Sequence, residues 1–89
     1  MSLPLEALHD ATLVSIRFDW ASRTCAFDFA GAPSHMEPFS ISFSSVSELA
    51  VPAAYPCGPS VSVLSAKDVG GGRYEFEMQS GDTISVVVA

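Results

Sequence analysis

Positive charge is what this chain has least of. Four Lys and Arg stand against ten Asp and Glu, a net charge of −6 over 89 residues. The four cations, Arg17, Arg23, Lys67 and Arg73, are scattered. Neutralising a phosphate backbone needs clustered cations, so the composition argues against nucleic acid and against anionic membranes as partners. A basic protein partner suits it electrostatically. Charge of either sign is scarce, at 16% against about 25% in ordinary globular chains. With 48% apolar residues, a disordered chain is excluded and a lightly charged surface is implied. No apolar run approaches the roughly 18 residues of a membrane-spanning helix. The opening "MSLPLEALHD" lacks the basic start and apolar stretch of a signal peptide. Met1 to Leu3 are expected to be an expression remnant, and the protein is expected to be cytoplasmic. Cysteine is limited to Cys25 and Cys57, too few for a disulfide framework. Two free thiols in a reducing compartment are expected.

What the chain has is alternation. In "TLVSIRFDW", Val14, Ile16, Phe18 and Trp20 share one face and Ser15, Arg17 and Asp19 the other. Cys25, Phe27 and Phe29 repeat the pattern, as do Phe39, Ile41 and Phe43. Tyr74, Phe76 and Met78 follow, then Ile84, Val86 and Val88. "SVSVLSAKDV" alternates less cleanly. Period two marks strands with one face turned to a core. About six antiparallel strands are expected, in two three-stranded meanders over residues 9–43 and 60–89. One all-β domain over 1–89 follows, a small sandwich or a partly open barrel. Between the meanders, "SSVSELAV" has capping-box spacing from Ser45 to Glu48, and Val46 and Leu49 fall on one side of a helix. A short helical turn is expected near 44–50. Pro52, Pro56 and Pro59 then impose an irregular loop, since proline cannot donate to a ladder.

The outward positions are small and neutral: Ser40, Ser42, Ser44, Ser62 and Ser85. Val87 and Ala89 add apolar groups to the second face of the last strand. An uncharged edge strand invites pairing with another chain. The pattern therefore points to a homodimer, unless loops or the N-terminal segment cover these faces.

No constellation here demands chemistry, so no catalytic residue, metal or cofactor is expected. His9 and Asp10 are adjacent, and neighbours in a strand point to opposite faces. A turn cap explains them more simply than a dyad. His35 and Glu37 share a face at i, i+2, but a metal site needs three or four ligands. His9, Asp10 and His35 are retained as a possible pocket at the mouth of the fold. Glu75 and Glu77 lie on one outer face, with Arg73 as a ready partner. Cys57 has no base or cation near it in sequence to activate its thiol. Tyr55, in the proline-rich loop, is a candidate interaction anchor. With Glu75, Glu77 and Asp82 it makes up the candidate binding set.

"LHDATLVSIRFDW", "FSSVSELAVP" and "EMQSGDTISV" carry a resemblance. They look like a group of small bacterial all-β proteins in which Leu-His-Asp opens into an amphipathic strand and a strand–turn–strand closes the chain. The opening is also similar to that of the immunity-protein 50 family, proposed to neutralise toxins in bacterial competition. The resemblance implies a binding domain and carries over no catalytic residue. An acidic domain of this kind would offer Glu75, Glu77 and Asp82 to a basic toxin face. Two rival expectations are a small-molecule-binding barrel or minor enzyme using His9 and His35, and a structural subunit of an assembly.

Overall fold

The alternating segments pair as antiparallel ladders. A computed structural model describes residues 5–33 and 36–89; Met1–Leu3 lie outside them. A 3-10 turn, η1 (Leu5–Leu8), precedes seven strands: β1 (Thr12–Asp19), β2 (Thr24–Gly31), β3 (Phe39–Phe43), β4 (Val46–Ala50), β5 (Val63–Gly70), β6 (Arg73–Met78) and β7 (Thr83–Val88). One sheet has the order β1-β2-β3 and the other β4-β7-β6-β5. Every ladder is antiparallel.

The inward aromatics join the sheets. Phe27 of β2 stacks on Phe76 of β6 with ring centroids 4.6 Å apart. Phe43 of β3 meets Tyr74 of β6 at 5.0 Å. Phe27 and Phe76 are fully buried, with Leu8, Val46, Val63 and Val86 around them. Each such side chain contributes about 1.5–3 kcal/mol on leaving water. The result is a sandwich rather than a closed barrel. One corner is stitched: Leu13 N–H donates to Val61 O (2.9 Å), and Val63 N–H to Ala11 O (2.9 Å).

The 44–50 segment corrects the expectation of a helical turn. Val46–Ala50 is strand β4, and the 3-10 turn sits at Leu5–Leu8 instead. Its register jumps from Val46↔Val88 to Glu48↔Val87. That bulge absorbs Ser47 and puts Val46 and Leu49 on the same inward face at a spacing of three. A bulged strand therefore copies helical spacing.

The last strand is also not an edge, because β7 lies between β4 and β6. Ser85 shares the outer face with its register partner Glu75 but is buried there, and its hydroxyl accepts from the Arg73 guanidinium at 3.3 Å. On β1, Val14 and Trp20 leave the core face and are 65% and 82% exposed. Outer-face Ser15 and Ser40 donate to Asp28 at 2.9 and 2.6 Å. Arg17 completes that cluster with two bonds to the same carboxylate, at 2.7 and 2.9 Å.

Candidate functional site

Two edge strands face each other across an open slot. Among the described residues, β1 ladders with β2 and beyond it only bridges Ser62 through Thr12 at its start, and β4 ladders with β7 alone. One hollow, of about 300 Å³, has Leu13–Ile16 on one wall and Val51–Ala53 with Tyr55 on the other. A second, of about 360 Å³, sets Phe18 and Trp20 against Val46–Leu49. Ascending residues on β1 face descending residues on β4 and its loop, so the two walls run in opposite senses. Their ends are pinned. Val46 N–H donates to Arg23 O at 2.9 Å, and Leu13 N–H to Val61 O at 2.9 Å. The slot is thus tied at both ends, and between the ties the described residues of β1 and β4 form no ladder with each other.

Apolar groups gather there. Among the described residues, five of the eight exposed large hydrophobics line the slot: Val14, Trp20, Val51, Tyr55 and Val61. Val14 is there because the β1 register shifts between Leu13 and Ser15, leaving it as the extra, outward residue. Trp20 lies just past β1 and packs edge-on against Phe18, with centroids at 4.7 Å. Clustered exposed apolar side chains mark contact surfaces, whereas isolated ones do not.

The loop wall is anchored by Asp82. Its carboxylate is buried and accepts Ala54 N–H at 3.1 Å, Tyr55 N–H at 3.0 Å and the Ser80 hydroxyl at 3.0 Å. Burial by itself would raise this carboxyl. The Tyr55 and Ala54 amides and the Ser80 hydroxyl outweigh it and hold the group below the usual carboxylate range. Tyr55 has φ +53°, a left-handed geometry that costs a side-chain-bearing residue about 1–2 kcal/mol. Cys57 N–H donates to Ser80 O at 2.7 Å, so the loop is docked on the β6–β7 turn at two points.

Of the expected binding set, Tyr55 and Asp82 come together and Glu75 and Glu77 lie elsewhere. Tyr55 is half exposed on the slot wall. Asp82 is not a surface carboxylate; it is the buried anchor beneath Tyr55. Glu75 pairs with Arg73 at 3.1 Å, and Glu77 accepts from Ser65 at 3.2 Å. Both lie on the outer face of β6, away from the slot.

His9 and Asp10 do meet, contrary to the strand argument, because they precede β1 and Asp10 has φ +65°. His9 Nε2 is 3.5 Å from Asp10 Oδ2. His9 Nδ1 donates to Leu64 O at 2.7 Å, and Gln79 Nε2 donates to Asp10. These bonds clasp the start of β1 against β5 and the end of β6. About three-fifths of the His9 side chain is in solvent, and of the pair Asp10 lines a shallow hollow of about 340 Å³ with Thr12, Ala32 and Met36. His35 lies outside the described residues. Among those described, no group of three His, Cys, Asp or Glu could hold a metal ion. Cys57 is exposed and Cys25 buried, both as free thiols.

Trp20, Val14, Val51 and Val61 were missed by sequence reading. Trp20 had one visible signal, a large aromatic in the turn "DWASRT" rather than inside a strand. Comparison with protein-family models, with curated proteins and with solved structures returned no match.

Proposed function

We propose that this chain is a protein-interaction domain that binds a basic partner through the slot between β1 and β4. The observation that carries the reading is the gathering of exposed apolar side chains along two edge strands whose facing edges carry no ladder to each other and whose ends are pinned. A preformed site loses little ordering entropy on binding. The acidic net charge supports a basic partner and faster encounter with it. In its specific form the domain is immunity-like, masking a basic toxin, as the Leu8-His9-Asp10 opening implies. The slot is preferred to the Glu75–Glu77 face because both carboxylates there are already engaged by Arg73 and Ser65.

The test is affinity capture from the native host with three baits: wild type, Trp20→Ser with Val51→Ser, and Glu75→Gln with Glu77→Gln. A basic protein retained by the wild type and the carboxylate variant, and lost from the slot variant, is the expected result. Retention by the slot variant sinks the reading.

A further inference from the structure

We infer that the slot takes its partner as an added β-strand: an extended, basic segment of the partner chain pairs its backbone with the free edge of β1. This rests on the reading of the slot as the partner site and specifies what fills it. Three observations select the occupant. First, the walls are edge strands, so what they lack is backbone hydrogen bonding. An extended polypeptide supplies that, and a helix or a small apolar molecule does not. Second, Val14, Trp20, Val51, Tyr55 and Val61 offer apolar contacts along β1 and the loop. From Val14 to Trp20 the edge runs roughly 20 Å, enough for about six residues of extended chain. Alternate side chains of an added strand would enter the slot and the others would face water.

Third, the charge favours a cationic segment. Among the described residues lining the slot, Glu48 is an exposed carboxylate and Arg23 the one cation, with the buried Asp82 carboxylate behind the loop wall, and the whole chain carries −6. A second copy of this chain brings the same −6, so self-pairing along this edge is opposed by like charge. Arg17, the cation on β1 itself, is held by Asp28 on the outer face. The pinned ends, Leu13 to Val61 and Arg23 to Val46, keep the two edges from closing on each other.

The experiment uses the full chain, labelled with nitrogen-15, and three capped synthetic heptapeptides. One alternates lysine and valine, one alternates glutamate and valine, and one is the lysine peptide with alternate backbone nitrogens methylated. The lysine peptide is expected to shift the amides of residues 14–20 and 46–51. The glutamate and methylated peptides are expected to bind at least about tenfold more weakly, through lost charge attraction and lost ladder bonds respectively. Equal binding of the methylated peptide overturns strand addition while leaving the slot as partner site. Shifts confined to Glu75 and Glu77 would mean attraction by net charge alone, which also overturns it. A sedimenting dimer with amides 14–20 protected in the free protein would make a second copy the occupant, with the same consequence. Loss of the captured basic partner from the slot variant, with no response to any heptapeptide, removes this inference but not the reading it rests on.

Discussion

At the scale of residues, two carboxylates set the acid limit of the fold. Asp28 is held far below the usual range, first by hydrogen bonds from Arg17, then by those from Ser40 and Ser15. Asp82 is held below it by the Tyr55 and Ala54 amides and the Ser80 hydroxyl, against its own burial. A carboxyl with a depressed folded value stabilises the protein above its unfolded value, near 4, and that contribution fades as pH falls through the folded value. Stability should therefore be flat near neutrality and fall below about pH 4. Chemical denaturation across pH should show this fall shrinking in Asp28→Asn and in Asp82→Asn. Only Asp82→Asn should also speed exchange of the Ala54 and Tyr55 amides. An unchanged acid limb in both variants would contradict the assignment.

The two thiols are expected to differ as well. Cys25 is 1% exposed, and burial raises its thiol, whereas Cys57 is exposed. A chromogenic disulfide reagent should titrate one thiol in the native protein and two in denaturant. A native count of two would mean that the core opens.

At the scale of elements, the strands were legible and their irregularities were not. Period two located most of the strands, because each contributes one face to a shared core. What it could not show was the single-residue bulges, at Ala30 and Val69 near strand ends and, within the core-facing runs, at Val14, Ser47 and Leu64. Each of these last three resets the phase, so the core pairs are Leu13 with Ile16, Val46 with Leu49, and Val63 with Ala66. A spacing of three reads as a helix on β4, as misplaced outward residues on β1 and as unclean alternation on β5. Only the partner strand reveals a bulge, since it is defined by two residues opposing one.

The β5 bulge makes a sharp prediction about neighbours. Val63→Thr, at a fully buried position, should cost about 1–3 kcal/mol. Leu64→Thr, at a position 42% exposed, should stay within about 0.5 kcal/mol. Equilibrium denaturation of both variants checks it, and similar costs would place Leu64 in the core. The β5–β6 turn is equally specific. A Cβ on Gly72, at φ +80°, would sit 2.5 Å from the Val88 carbonyl, whereas one on Gly71, at φ +64°, meets nothing within 4 Å. Both alanine variants carry the left-handed penalty of about 1–2 kcal/mol. Gly72→Ala should melt clearly lower than Gly71→Ala.

At the scale of the molecule, the slot is a consequence of strand order. β4 follows β3 in sequence but pairs with β7, which carries it into the second sheet and leaves it facing β1. No local pattern records that choice. The candidate site was therefore legible only in its parts: Tyr55 as a loop aromatic and the acidic balance as a preference for basic partners. Asp82 was legible as a carboxylate, but its burial depends on where the proline loop docks. Trp20, 82% exposed, touches little of the core, and Trp20→Ser should change stability by no more than about 0.5 kcal/mol while weakening partner binding. The central claim is that the partner engages the β1–β4 slot, and amide hydrogen exchange of the full chain with and without its captured partner tests it most directly. New protection at residues 14–20 and 46–55, with the Glu75–Glu77 segment unchanged, is the predicted result. Protection confined to β5 and β6, with the slot amides exchanging as in the free protein, would contradict it.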